Sequence, residues 1–137
     1  MHLPDQIREA LVAHARFTFP SEACGLMAAD RDGELRMAYC LTNADESSTR
    51  FTVDPAEHFG ALRHAEARGW HIAGAFHSHP RSEATPSRAD IEGALDPSWI
   101  HFIAGPVDRA EVEVRAFRIV SGEASEIGLT AGAESRR

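Results

Sequence analysis

The chain has 137 residues, 43% of them hydrophobic and 26% charged, with a formal net charge of −7. That length predicts one domain over residues 1–137 with its own core, and the acidic balance argues against a nucleic-acid partner, which wants a basic footprint. No apolar run approaches the ~18 residues of a membrane span, and Asp5 and Glu9 interrupt the N-terminal stretch where a signal peptide would be apolar, so the expectation is a cytoplasmic protein with no membrane association.

Leu3, Ile7, Leu11 and His14 recur at helical spacing, with Pro4 at a first-turn position, and predict an amphipathic helix over 4–17. The apolar runs ACGLMAAD and ELRMAYCLTN flank Arg31-Asp32-Gly33 and predict a β-hairpin. A three-residue loop there sets Cys24 opposite Cys40, whereas a slip of one residue sends them to opposite faces. Two free thiols are the expectation in a reducing compartment. In FTVDPAEHFGALRHAEARGW, Asp54 as N-cap, Pro55 at the first position and Glu57 at the third start a helix over 55–68, and Gly69 stops it. HIAGAFHSH predicts a buried strand, residues 87–95 a third helix, Trp99–Ala104 and Glu111–Val120 two strands, and residues 120–137 a short edge strand with a frayed tail. Trp70, Trp99 and Phe76 are assigned to the core. The order αββαβαββ implies an α/β (α+β) fold with a mixed sheet.

The stretch GAFHSHPRSEATPSRAD, residues 74–90, concentrates the chemistry. Residues i and i+2 of a strand share a face, so His77 and His79 point together, with the small Ala73 and Ala75 upstream leaving open space. Pro80 ends the ladder, and the chain enters a helix at Ser87 with Asp90 one turn in. Two imidazoles and a carboxylate with a fourth position open is the pattern of a catalytic zinc. Taken alone, Ser87-x-x-Asp90 reads as a capping box before it reads as a catalytic pair. His71 shares strand parity with the pair but lies further along and is assigned a structural role. His2, His14, His58, His64 and His101 lack ligand spacing.

The combination of Glu22 in Pro-x-Glu-x-Cys-Gly-Leu, His77-Ser78-His79-Pro80, ten residues from 80 to 89, and Asp90 preceded by Ser87 resembles the JAMM (MPN+) metallopeptidases, in their short stand-alone prokaryotic form. Cys24-Gly25-Leu26, Asn43, Phe51 and Gly74 extend the likeness over residues 4–120. The resemblance implies an MPN/JAB-type mixed sheet flanked by helices, with a cytidine-deaminase-like architecture. It implies one zinc per chain on His77, His79 and Asp90, Glu22 as general base, and Ser87 as the oxyanion donor. The implied activity is a zinc-dependent, isopeptidase-type cleavage of the amide after the C-terminal glycine of a ubiquitin-like or sulfur-carrier protein. A Gly-Gly tail would add a strand to an exposed edge, with loop 81–86 and segment 43–51 as walls. A non-catalytic MPN-type scaffold is the alternative, and the intact metal set counts against it. A zinc deaminase would need a later Pro-Cys-x-x-Cys, which the chain lacks.

Overall fold

The computed structural model describes residues 1–45, 47 and 53–132. Its elements follow in the order α1 (Asp5–Thr18), β1 (Cys24–Ala29), β2 (Leu35–Leu41), α2 (Pro55–Ala67), β3 (His71–Ser78), α3 (Arg88–Gly93), β4 (Ile100–Gly105), β5 (Glu113–Val120) and β6 (Glu123–Ile127). Among the described residues the strands form one six-stranded sheet of order β2-β1-β3-β4-β5-β6. Only β3 and β4 run parallel; the other neighbours are antiparallel. A parallel pair needs a crossover, and the segment carrying α3 supplies it. The expected α+β mixed sheet and every expected element are present, with the edge strand at β6.

The helices sit where their sequence faces send them. Ile7, Leu11 and Ala15, spaced by four, are the buried stripe of α1. They join Leu3, Met27, Phe76 and Phe102 in the main core on one side of the sheet, where each buried large side chain contributes roughly 1.5–3 kcal/mol. α2 starts as its sequence dictates: the Asp54 carboxylate accepts from the amides of Ala56 and Glu57 at 2.8 and 3.2 Å. It covers the opposite face, where Leu26, Leu41 and Ala61 make a smaller cluster. Close strand approach needs glycine at position 74, where a Cβ would run into the backbone carbonyl of Ile100 on β4. No helix among the described residues is long and apolar enough to cross a membrane.

Two β-bulges reshape what strand alternation predicts. Next to the turn, Ala29 faces Leu35, the register that a three-residue loop dictates. Arg36 is then an extra residue, held by a 2.9 Å hydrogen bond from its guanidinium to the Asp30 carboxylate. Beyond it Cys24 faces Leu41 and Gly25 faces Cys40, so the cysteines lie on opposite faces, Cys24 buried and Cys40 exposed, and both are free. In β3 the partners change from Met27↔Gly74 to Ala28↔Ile72, leaving Ala73 as the extra residue. Ala73 and Phe76 consequently pack on the α1 side, while Ile72 and Ala75 pack on the α2 side. Ala73 therefore leaves the face of His77, and the parity between His71 and the histidine pair is broken. Phe76 is core as expected, but Trp70 and Trp99 are half-buried, Trp99 packing against the smaller cluster.

Candidate metal centre and active site

The carboxyl end of a parallel pair beside its crossover is where α/β sheets collect ligands. There β3 delivers His77 on its last turn of pleat and His79 just beyond it. Both are buried. His79 Nδ1 meets the Glu83 carbonyl at 2.7 Å, which assigns a ring proton to Nδ1 and turns Nε2 toward the site. The turn carrying Glu83 is itself anchored, since Ala84 is fully buried against Ile103 and Phe117.

Asp90 arrives from the other direction, on the first turn of α3. The capping box is complete: the Ser87 hydroxyl accepts from the Asp90 amide at 3.1 Å, and the Asp90 carboxylate accepts from the Ser87 amide at 2.8 Å. The oxygen that closes this box, Asp90 Oδ2, also lies 3.1 Å from His77 Nε2 and 3.1 Å from His79 Nε2, and the two Nε2 atoms are 3.2 Å apart. One carboxylate oxygen thus both closes the helix cap and meets the two imidazoles. The Ser87 oxygen is an acceptor in the cap, which leaves its hydroxyl proton to donate elsewhere.

These three atoms fit a metal ion. Tetrahedral ligands at 2.0–2.1 Å from a zinc lie about 3.3 Å from one another, close to the observed triangle. The three residues form a group able to hold one ion, with nitrogen and oxygen donors, His79 oriented by the Glu83 carbonyl and Asp90 by the Ser87 amide. Electrostatics agree. Burial alone would push the Asp90 carboxyl up, but hydrogen bonds from His77 and His79, the charge on His77 and the Ser87 amide hold it far below the usual carboxylate range. Burial works against protonation of His79, yet the Asp90 carboxylate and the Glu83 carbonyl raise it above its ordinary value.

Glu22 precedes β1 and lines the same cavity as His77 and Asp90. It is only 5% exposed. Burial pushes its carboxyl up from 4.5 to about 7; the nearby His79 lowers it somewhat and Asp90 raises it further. A carboxyl balanced there can take and return a proton near neutral pH. Cys24, two residues on, is pushed up to about 12 by burial and stays a neutral thiol, a poor metal ligand.

The cavity has a volume of about 690 Å³, and Leu26, Ala75 and Trp99 supply part of its apolar lining. Its far wall is residues 89–96 of α3 and the segment after it. In loop 81–86, Glu83 lines a different groove and Ala84 packs against the sheet. Asp45 and Val53 line the cavity, while Phe51 and most of segment 43–51 lie outside the described residues. Two histidines that the sequence reading set aside for want of ligand spacing, His58 and His101, also line the cavity. His101 on β4 pairs with Ala75 across the parallel ladder, and its Nε2 is buried without a hydrogen-bond partner. Burial and the nearby His77 lower its pKa. No local spacing marks His101; only the pairing of β3 with β4, distant in sequence, brings it there.

A mixed-sheet α+β domain that converges two imidazoles and a helix-borne carboxylate beside a buried glutamate is a recognisable class of hydrolase scaffold. The chain belongs to the family described as prokaryotic homologs of the JAB domain, whose model matches residues 4–120, in line with the resemblance its motifs carry. It is 34% identical over 118 residues to the CysO-cysteine peptidase of Mycobacterium tuberculosis, covering 85% of this chain and 81% of that one. It is 32% identical over 115 residues to the desampylase of Haloferax volcanii, covering 80% and 83%. The solution structure of protein DSY2949 from Desulfitobacterium hafniense superposes with a TM-score of 0.88 at 34% identity, covering 97% of this chain and 93% of that one.

Proposed function

We propose that this protein is a zinc-dependent peptidase of the isopeptidase type, cleaving the amide bond after the C-terminal glycine of a ubiquitin-like or sulfur-carrier protein. The observation that carries the reading is the triangle of His77 Nε2, His79 Nε2 and Asp90 Oδ2, with edges of 3.1–3.2 Å, beside the buried Glu22. Relatives named as a peptidase acting on CysO-cysteine and as a desampylase support the reaction class and the type of substrate.

His77, His79 and Asp90 would hold one zinc ion per chain, leaving one position for water. When bound, zinc lowers the pKa of that water toward about 7 and polarises a carbonyl. The remaining work falls to the chain. Glu22 removes a proton from the attacking water and later delivers it to the leaving nitrogen, a role its pKa of about 7 suits on both strokes. Ser87, whose hydroxyl proton is not used by the cap, donates to the carbonyl oxygen as negative charge develops there.

The test is to load wild type and Glu22→Gln with zinc and assay both on a ubiquitin-like protein ending in Gly-Gly and extended by one residue. The variant is expected to bind the same zinc and to lose roughly 10²–10⁴-fold in kcat. Wild-type turnover in Glu22→Gln would remove Glu22 as the base. His77→Ala and Asp90→Ala should each lower zinc affinity by orders of magnitude, and zinc content equal to wild type in both would dismiss the ligand set.

A further inference from the structure

Glu22 stands outside any strand, so the sheet ladder does not hold it, and a base misplaced by about 1 Å can cost ~100-fold in rate. Its backbone is nevertheless fixed on both sides. On the N-terminal side, the Glu22 amide donates to the Ser47 carbonyl at 2.7 Å, and the Asn43 side-chain amide donates to the Glu22 carbonyl at 3.1 Å. On the C-terminal side the partner is Ser78, the residue between the two ligand histidines. The Ser78 amide donates to the Ala23 carbonyl at 3.0 Å. In a regular antiparallel pair the return bond would run from the Ala23 amide to the Ser78 carbonyl. Here the Ala23 amide donates instead to the Ser78 hydroxyl oxygen at 2.7 Å.

That substitution has a structural consequence. The chain leaves the ladder at Ala23 while its buried amide stays satisfied, and Glu22 is carried into the cavity rather than continued along β1. Ser78 is fully buried and is not one of the three metal donors. The side chain at 78 must therefore present an oxygen, although strand packing alone would accept an alanine.

We propose that Ser78 is a positioning residue for the general base: its hydroxyl sets where Glu22 stands relative to His77 and His79. Since Ser78 is covalently bracketed by the two histidines, one three-residue segment fixes both the metal donors and the base. The inference rests on the reading of Glu22 as base.

The experiment compares zinc-loaded wild type, Ser78→Ala, Ser78→Thr and Ser78→Cys, with Glu22→Gln as reference, on the extended Gly-Gly substrate. Ser78→Ala is expected to lose about 100-fold in kcat with KM changed by no more than about twofold, at wild-type zinc content. Its Ala23 amide should exchange at least about tenfold faster with solvent deuterium. Ser78→Thr, which restores the acceptor, should recover both readouts. Ser78→Cys, of similar shape with a weak acceptor, should behave as Ser78→Ala does and replaces it if the alanine variant fails to fold. Wild-type kcat in Ser78→Ala, loss of zinc in it, or a Ser78→Thr as impaired as Ser78→Ala would overturn the assignment. If zinc-loaded wild type cleaves nothing, the peptidase reading fails, and the clamp is judged alone: faster Ala23 exchange with a displaced Glu22 carboxylate in a Ser78→Ala crystal structure upholds it, and an unchanged Ala23 and Glu22 refute it.

Discussion

On the α1 side of β3, Phe76 is 1% exposed and packed within a large apolar cluster, its ring edge-on to His14 at 6.0 Å. One residue to either side, on the α2 side, Ala75 and His77 line a cavity of about 690 Å³. The same strand is thus filled to capacity on one face and left open on the other. The closed face fixes the backbone to which the imidazoles are attached, and the open face leaves space beside His77. Rigidity and access are separated by the two-residue alternation of a single strand.

That contrast can be broken from either side. The largest effect is expected from Phe76→Ala, which should destabilise the fold by about 3–5 kcal/mol in denaturant unfolding, since the sealed face cannot collapse around the lost ring. A cost below about 1 kcal/mol would mean that this face is not the closed one. On the open face, the buried Glu22 should cost stability. Its carboxyl titrates at about 7 in the folded chain against 4.5 ordinarily, so the folded state holds the extra proton between those values. Stability of the metal-free wild type should therefore fall as pH rises from about 4.5 to 7 and stay low above. Glu22→Gln should remove that loss and be more stable by on the order of 2 kcal/mol at pH 8, with no difference at pH 4; thermal unfolding of both in chelator at the two pH values reads this directly. Ala75→Leu should fill the cavity, lowering kcat/KM at least about tenfold (about 1.4 kcal/mol) while altering stability less than that. Asp54→Ala, remote from both faces, should cost about 1 kcal/mol by uncapping α2 and leave zinc content unchanged.

Much of this was legible in the residues because it is local. Asp54-Pro55-x-Glu57 caps α2 as its spacing dictates, and the Arg31–Gly33 turn sets the hairpin register up to Leu35. His77, His79 and Asp90 were readable because a strand end, a crossover and a helix start fix their approach within fourteen residues of chain. What escaped is non-local. The extra residues Arg36 and Ala73 are accommodated by neighbouring strands, and they decide where Cys40 and His71 point. His101 reaches the site only because β4 docks beside β3. Ala84 is packed against Ile103 and Phe117 of the sheet, a contact no periodicity announces.

The convergence of the three donor atoms on one ion is tested most directly by an anomalous difference map at the zinc edge from crystals grown with one equivalent of zinc. The account predicts a single strong peak about 2.0–2.1 Å from His77 Nε2, His79 Nε2 and an Asp90 carboxylate oxygen, with Glu22 outside the coordination sphere. A peak at any other set of side chains, or none at these three, would contradict it.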